Sequence, residues 1–382
     1  MDGKSMAGPI SYENWQSHIK GEPSLGITEH LLHTDADLAG DTPEHTGPYA
    51  FFNLIPQLHR SQRVRAGIAL RISIYVKFEP PDMSKTEQSR YHGGNLIDEI
   101  AALCSLVCGM RVRSGAEVRE FQHGSDAKGR PMMYWQRPEP TLTYGLRGLI
   151  IPELLGNHSL MDLSMLETYA RLPAFEATSL IRAARLYQDG LWLCESEPSM
   201  SWLMLVSAVE TIANCWRSSQ DPAVARLRAS KSAFVEYLEN LGVAGLIERV
   251  AEEFSDSLGT TKKFTDFLLE YMPEPPATRP ELFGQVEWSE LNLKKIMRLV
   301  YSYRSKALHD GQPFPAPMCE SPVMFGGDSP PMERPIALAS SGMGGTWLAK
   351  DIPMFLHTFE YIVRKSILSW WKSAAQAGEG TT

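Results

Sequence analysis

From about Leu160 onward the apolar residues of this chain recur almost wholly at helical spacing, which leaves helix packed on helix as the way to bury them. Residues 178–194 and 199–216 read as two helices joined by a short turn at Pro198, with Ser199 as a cap, and so short a connection packs them antiparallel. Further helical patterns cover 222–241, 244–256, 260–271 and 287–310, and a last one over 352–372 closes the bundle. Before Leu160 the pattern is mixed. Over 68–78, Ile68, Leu70, Ile72, Ile74, Val76 and Phe78 alternate with Ala69, Arg71, Ser73, Tyr75 and Lys77, the period of a half-buried strand that suits antiparallel pairing. Residues 95–108 carry Leu96, Ile100, Leu103, Leu106 and Val107 at helical spacing, with Asn95 placed as a cap and Gly109 as a stop. A second strand is expected over 110–122. Residues 1–60, punctuated by Pro, Gly and Asp, read as loop-rich, with the first dozen disordered. The expected fold is an α+β N-terminal domain over 1–160, an all-α helical bundle over 161–375 and a flexible tail over 376–382.

A length of 382 residues is enough for two such cores. The 37 basic and 45 acidic side chains leave a net charge of -8, which excludes a surface coated in positive charge, so any contact with nucleic acid has to be local. The five cysteines, Cys104, Cys108, Cys194, Cys215 and Cys319, are an odd number and read as reduced thiols. No apolar run approaches the ~18 residues of a membrane span, and a cytoplasmic protein is the expectation. Residues 311–345 carry seven prolines and several glycines, so they read as a long irregular loop, either functional or disordered, and beginning straight after His309 they are placed to act as a movable cover.

On the helix over 291–310, Leu293, Ile296, Met297, Val300, Tyr303 and Ala307 share one stripe, while Lys294, Arg298, Ser305 and His309 fall opposite. Arg304 interrupts the apolar stripe, where a guanidinium that cannot lose its proton needs an acidic partner or a wet cleft. Glu210 is the candidate partner, because it is a charge in the middle of an otherwise apolar helix with Trp202, Leu203, Leu205, Val206, Val209 and Ile212. Ser305 and His309, four apart, are neighbours on one ridge, so the hydroxyl is placed to orient the imidazole. Arg304 and His309 differ by roughly 140° around an ideal helix. They converge only if the helix end distorts, if the arginine wraps round, or if a second copy contributes its own pair across a two-fold axis. An imidazole that exchanges protons near neutral pH, beside a guanidinium that offsets phosphate charge, suits phosphoryl chemistry on RNA without a metal.

The run Tyr303-Arg304-Ser305-Lys306-Ala307-Leu308-His309-Asp310-Gly311 resembles the signature of HEPN domains, and most closely that of the Apea-like group. Residues 202–210 resemble the group's earlier helix with its embedded glutamate, and 353–371 its closing helix, so the resemblance covers roughly 175–372. It implies an all-α domain, a homodimer that brings two motifs together, and metal-independent RNA cleavage without a cofactor, commonly in toxin or antiviral-defence systems. Arg304 and His309 match its reactive pair, Ser305 its polar position and Glu210 its supporting acid. Some HEPN toxins carry a tyrosine two residues after the histidine that a partner nucleotidyltransferase modifies. Gly311 stands there in this chain, so silencing by that route is not implied.

Plainer readings stand beside these. Arg304 and His309 also suit a structural pair that links helices, in a HEPN scaffold that binds RNA or a partner protein without cutting. Lys294, Lys295, Arg298 and Lys306 either line an RNA groove or form a solvated helix face. Cys104 and Cys108, with His92 or His123, and the pair His30 and His33, have the composition of metal ligands but read better as core residues, and no metal is expected. Trp192, Trp202, Trp216, Trp370 and Trp371 read as helix-packing residues. No GxxxxGK[ST] loop or HExxH pair is present. The N-terminal region is expected to sense a trigger, restrain the helical region or select the RNA.

Overall fold

The computed structural model describes residues 7–44, 46–54, 64–77, 82–121, 133–135, 139–144, 148–216, 223–253, 259–325, 329–336 and 339–379. The N-terminal region begins with helix α1 (Ile10–Ile19) and builds a five-stranded sheet from β1 (Gly26–Thr34), β3 (Tyr49–Asn53), β4 (Arg65–Ile74), β5 (Arg113–Phe121) and β6 (Met133–Tyr134). The spatial order is β3-β4-β1-β5-β6, and every neighbouring pair is antiparallel. A short strand β2 (Asp37–Ala39) pairs in parallel with β7 (Asn157–Ser159). Helix α2 (Leu96–Cys108) covers one face of the sheet.

In β4 the residues Ile68, Leu70 and Ile72 point into the core as the alternation requires, but the strand ends at Ile74 and Phe78 lies outside the described residues. Asn95 caps α2 as read from the sequence, accepting from the Ile97 and Asp98 amides while the Asp98 side chain accepts from the Asn95 amide. Gly109 ends that helix in the left-handed region at φ 69°, a conformation that glycine adopts without steric cost.

The loop-rich reading of the first sixty residues is corrected by α1, β1 and β3. Helix α1 and strand β1 escape a hydrophobic pattern because they bury polar groups. Ser11, Asn14, Glu29, His30, His33 and Thr34 are all buried. Their partners come from far along the chain: Glu99 on α2 caps α1 by accepting from the Ser11 amide at 2.6 Å, and Asn14 accepts from the Tyr75 amide at 2.7 Å. The first dozen residues are likewise not all irregular, since α1 starts at Ile10.

The remainder is helical: α3 (Ala174–Leu193), α4 (Pro198–Trp216), α5 (Ala223–Ser230), α6 (Ser232–Asn240), α7 (Leu246–Glu253), α8 (Thr260–Glu270), α9 (Glu290–His309) and α10 (Leu356–Glu379). The pattern read as one helix over 222–241 is two, broken at Lys231, and residues 222 and 254–256 lie outside the described residues. The tail expected from 376 is also corrected. The closing helix continues to Glu379, with Ala375 buried on its inner face.

Several described residues of 311–345 pack against the helices. Trp202 is sandwiched between Phe314 and Phe359, with ring centroids 5.2 and 4.7 Å away, and its indole donates to the Met318 carbonyl at 3.1 Å. Buried Glu333 accepts from Arg279 at 2.6 Å and from the Val286 amide at 2.6 Å. A hairpin of β8 (Ala339–Gly342) and β9 (Gly345–Leu348) follows. Aromatic packing anchors the start of this stretch, at Phe314 and Met318.

One apolar cluster runs without a break from Trp15 to Ala375. Helix α2 is its centre, because Ile100, Ala101, Ala102, Leu103, Cys104 and Leu106 have no exposure, with the sheet on one side and α3 on the other. The position near 160, expected to be a boundary between separate cores, instead holds the 3-10 turns of Leu160–Arg171, whose Leu160, Leu163, Leu166 and Tyr169 join that cluster. A small separate cluster, Leu227, Val235 and Ala251, lies within α5 to α7.

At the junction, Arg111 is fully buried and donates to Asp35 at 2.6 Å, to Glu195 at 2.9 Å and to the Leu191 carbonyl at 3.0 Å. Replacing it by methionine leaves two buried carboxylates without their counter-charge, and Arg111→Met is expected to lower stability by about 3–5 kcal/mol in urea unfolding.

His357, buried on α10, donates from Nδ1 to Glu153 at 3.1 Å and from Nε2 to the Met332 carbonyl at 2.8 Å, which requires both ring nitrogens to carry protons. Burial alone would lower its pKa, but the Glu153 carboxylate and the carbonyl outweigh it and raise the ring above its ordinary value. A raised folded-state pKa gives stability that is complete below the unfolded value near ~6.5 and is lost as pH rises through the folded one. The stability difference between wild type and His357→Gln, followed by urea midpoints from acid to alkaline pH, is therefore expected to shrink as pH increases.

Candidate functional site

Helix α9 starts on the Ser289 side chain, which accepts from the Asn292 amide, and stops where Gly311 takes φ 66°. Between those ends it buries Leu293, Ile296, Met297, Val300 and Tyr301, and half-buries Tyr303 and Ala307. Arg304 lies beside this face, one-fifth exposed, and its Nη2 donates to Glu210 on α4 at 2.6 Å. The partner inferred from two misplaced charges is thus the one the bundle supplies.

Tyr301 completes the group. Its hydroxyl donates to the other Glu210 oxygen at 2.7 Å, and its ring centroid lies 5.5 Å from the Arg304 guanidinium carbon. Phe264 on α8 packs on that ring at 5.2 Å, and Thr260, the first residue of α8, hydrogen-bonds the phenol. Burial, reinforced by the Glu210 carboxylate, pushes the Tyr301 pKa up to about 12, so the phenol stays a donor at neutral pH. Periodicity alone does not single out Tyr301 from the other residues of the helix. The available signal is its position three residues before Arg304, on the same ridge.

His309 is not part of this group. Helix α9 continues to His309, which is exposed, and on an ideal helix the two motif residues stand roughly 140° apart. Nor does the half-buried Ser305 hydroxyl bond to its ring. Lys295, Arg298 and Lys306 are exposed and Lys294 half-buried, and among the described residues none of the four forms an ion pair. Lys306 stands 5.8 Å over the Tyr303 ring. The outward face of α9 therefore joins unneutralised basic charge to an accessible imidazole.

The other sequence candidates are dispersed. Cys104 and Cys108 are buried thiols, and burial raises both pKa values, that of Cys108 to about 12. His92 contacts Glu99 at 2.6 Å, and His123 lies outside the described residues. His30, pushed down to about 4 by burial, lies near Thr28, whereas His33 lies 4.0 Å from Glu139. Among the described residues no three His, Cys, Asp or Glu side chains converge as a metal-ligand set. No helix among them is long and apolar enough to cross a membrane. The five tryptophans act as packing residues, with Trp202 and Trp371 fully buried and Trp216 edge-on to Phe267.

No family model, no curated protein and no solved structure matches this chain.

Removing Glu210 strands a half-buried guanidinium. Glu210→Ala is expected to destabilise the protein by about 1–3 kcal/mol in urea unfolding, and adding Arg304→Met is expected to return some of that loss.

Proposed function

We propose that the chain is a metal-independent endoribonuclease of the HEPN type, acting as a homodimer and needing no cofactor. The observation that carries this reading is Arg304, a permanent charge held at the edge of the helix-packing face by Glu210, five residues before an exposed His309 at the helix end. His309 exchanges the proton as general acid or base, Arg304 offsets charge on the scissile phosphate, and Ser305 orients the imidazole once RNA is bound. Lys294, Lys295, Arg298 and Lys306 receive neighbouring phosphates.

Because Arg304 and His309 diverge within one chain, the reading assigns the converged site to two copies of α9 around a two-fold axis, each contributing a pair. Toxin or antiviral-defence action, with a trigger or partner that controls it, belongs to the same reading. The separation of His309 from Arg304 equally favours a second one, a HEPN scaffold that binds RNA or a partner protein without cutting it.

Purified protein incubated with total RNA is expected to cleave it in the presence of EDTA and to leave 2′,3′-cyclic phosphate ends, while DNA resists. Arg304→Ala and His309→Ala are each expected to lower the rate at least about 100-fold, the scale of one general acid–base or electrostatic contribution, with an unchanged circular dichroism spectrum. Light scattering is expected to give a dimer. Full cleavage by folded His309→Ala protein would overturn the nuclease reading, and RNA binding without cleavage would favour the scaffold.

A further inference from the structure

Three helices meet at the Glu210 carboxylate. Helix α9 contributes Arg304 and Tyr301, which donate to different oxygens of the same carboxylate at 2.6 and 2.7 Å. Helix α8 contributes Thr260 on the phenol and Phe264 against its ring. With both oxygens occupied, the carboxylate cannot turn about its own axis without losing a charge-assisted bond. The guanidinium is fixed in turn, because its Nη2 is committed to Glu210 and the Tyr301 ring lies beneath it. One-fifth of the Arg304 side chain remains exposed, on the same helix that carries His309.

We propose that Tyr301 is a positioning residue for Arg304: its hydroxyl, held by Thr260, fixes the Glu210 carboxylate, which in turn fixes the guanidinium that meets phosphate. The proposal rests on the nuclease reading for its kinetic consequence, but its structural half stands on the hydrogen-bond geometry alone. Tyr301 touches no substrate in this scheme. Its hydroxyl acts through Glu210, and that separates it from a residue that merely fills space.

Tyr301→Phe keeps the ring and its packing on Phe264 and deletes only the hydroxyl. In the full-length protein it is expected to lower kcat for RNA cleavage about tenfold, the scale of one hydrogen bond to a charged group, and to leave KM within about twofold. In a Glu210→Gln background the same substitution is expected to change kcat by less than about twofold, because the path through the carboxylate is already broken. With arginine labelled by nitrogen-15 and the Arg304 signals assigned by Arg304→Lys, the restrained Nη resonances of the wild type are expected to average in Tyr301→Phe. A wild-type rate and unchanged Arg304 signals in Tyr301→Phe would overturn the proposal. So would a raised kcat, which would make Glu210 a latch on Arg304, or a full tenfold loss in the Glu210→Gln background. Should His309→Ala cleave normally, the nuclease reading fails, and the Arg304 resonances still decide the role of Tyr301.

Discussion

The Arg111 guanidinium has no exposure to solvent, and around it the sheet and the helices become one body. Asp35 follows the end of β1, Arg111 lies between α2 and β5, and Leu191 and Glu195 belong to the end of α3, so three separate stretches meet on one side chain. Such a cluster is costly to form, because each charge loses its hydration, and it persists only while every partner is in place. Glu195 also accepts from the Ile150 amide, and the Asp35 oxygen that meets Arg111 also accepts from the Tyr144 hydroxyl. What the cluster contributes is the orientation it imposes. A β1 that shifted by one residue would take Asp35 away from Arg111 and turn His30 and Leu32 out of the core.

Helix α2 is the apolar counterpart of that cluster. Its residues are buried on nearly every side, which a helix on the surface of a separate α+β domain would not show. The sheet and the bundle therefore share an interior. This bears on how the N-terminal region serves the candidate site. Through α2 it supports α3, which packs along α4, and α4 carries Glu210. Regulation through the N-terminal region would then work by displacing packed helices, and a detachable plug would have no separate core to detach with.

Within the bundle a similar division of faces recurs at α9. The helix turns Leu293, Ile296, Met297 and Val300 inward and Lys295, Arg298 and Lys306, which form no ion pair among the described residues, outward, with the partly exposed Arg304 between the two. A boundary position gives a guanidinium both a fixed partner and a reachable edge. His309 stands five residues further along the same helix, at its exposed end.

The sequence by itself determined the features that depend on local periodicity and on charges out of place. The alternation around Leu70, the capped helix that ends at Gly109, the order of the helices after Leu160 and the partnership of Arg304 with Glu210 were all legible, because each follows from side-chain spacing or from the cost of burying a lone charge. Tertiary structure decided the rest. Helix α1 and strand β1 bury polar residues whose partners lie as far away as Glu99 and Tyr75, so no local pattern announces them. Phe314, at the start of the proline-rich stretch, is placed by Trp202, which Phe359 covers from its other side. Tyr301 looks like any core aromatic until Glu210 and Thr260 meet its hydroxyl, and the separation of His309 from Arg304 is fixed only once α9 proves regular to its end. Spacing along a chain carries the period of an element, whereas the partner of a buried polar group is chosen by whichever distant segment folds against it.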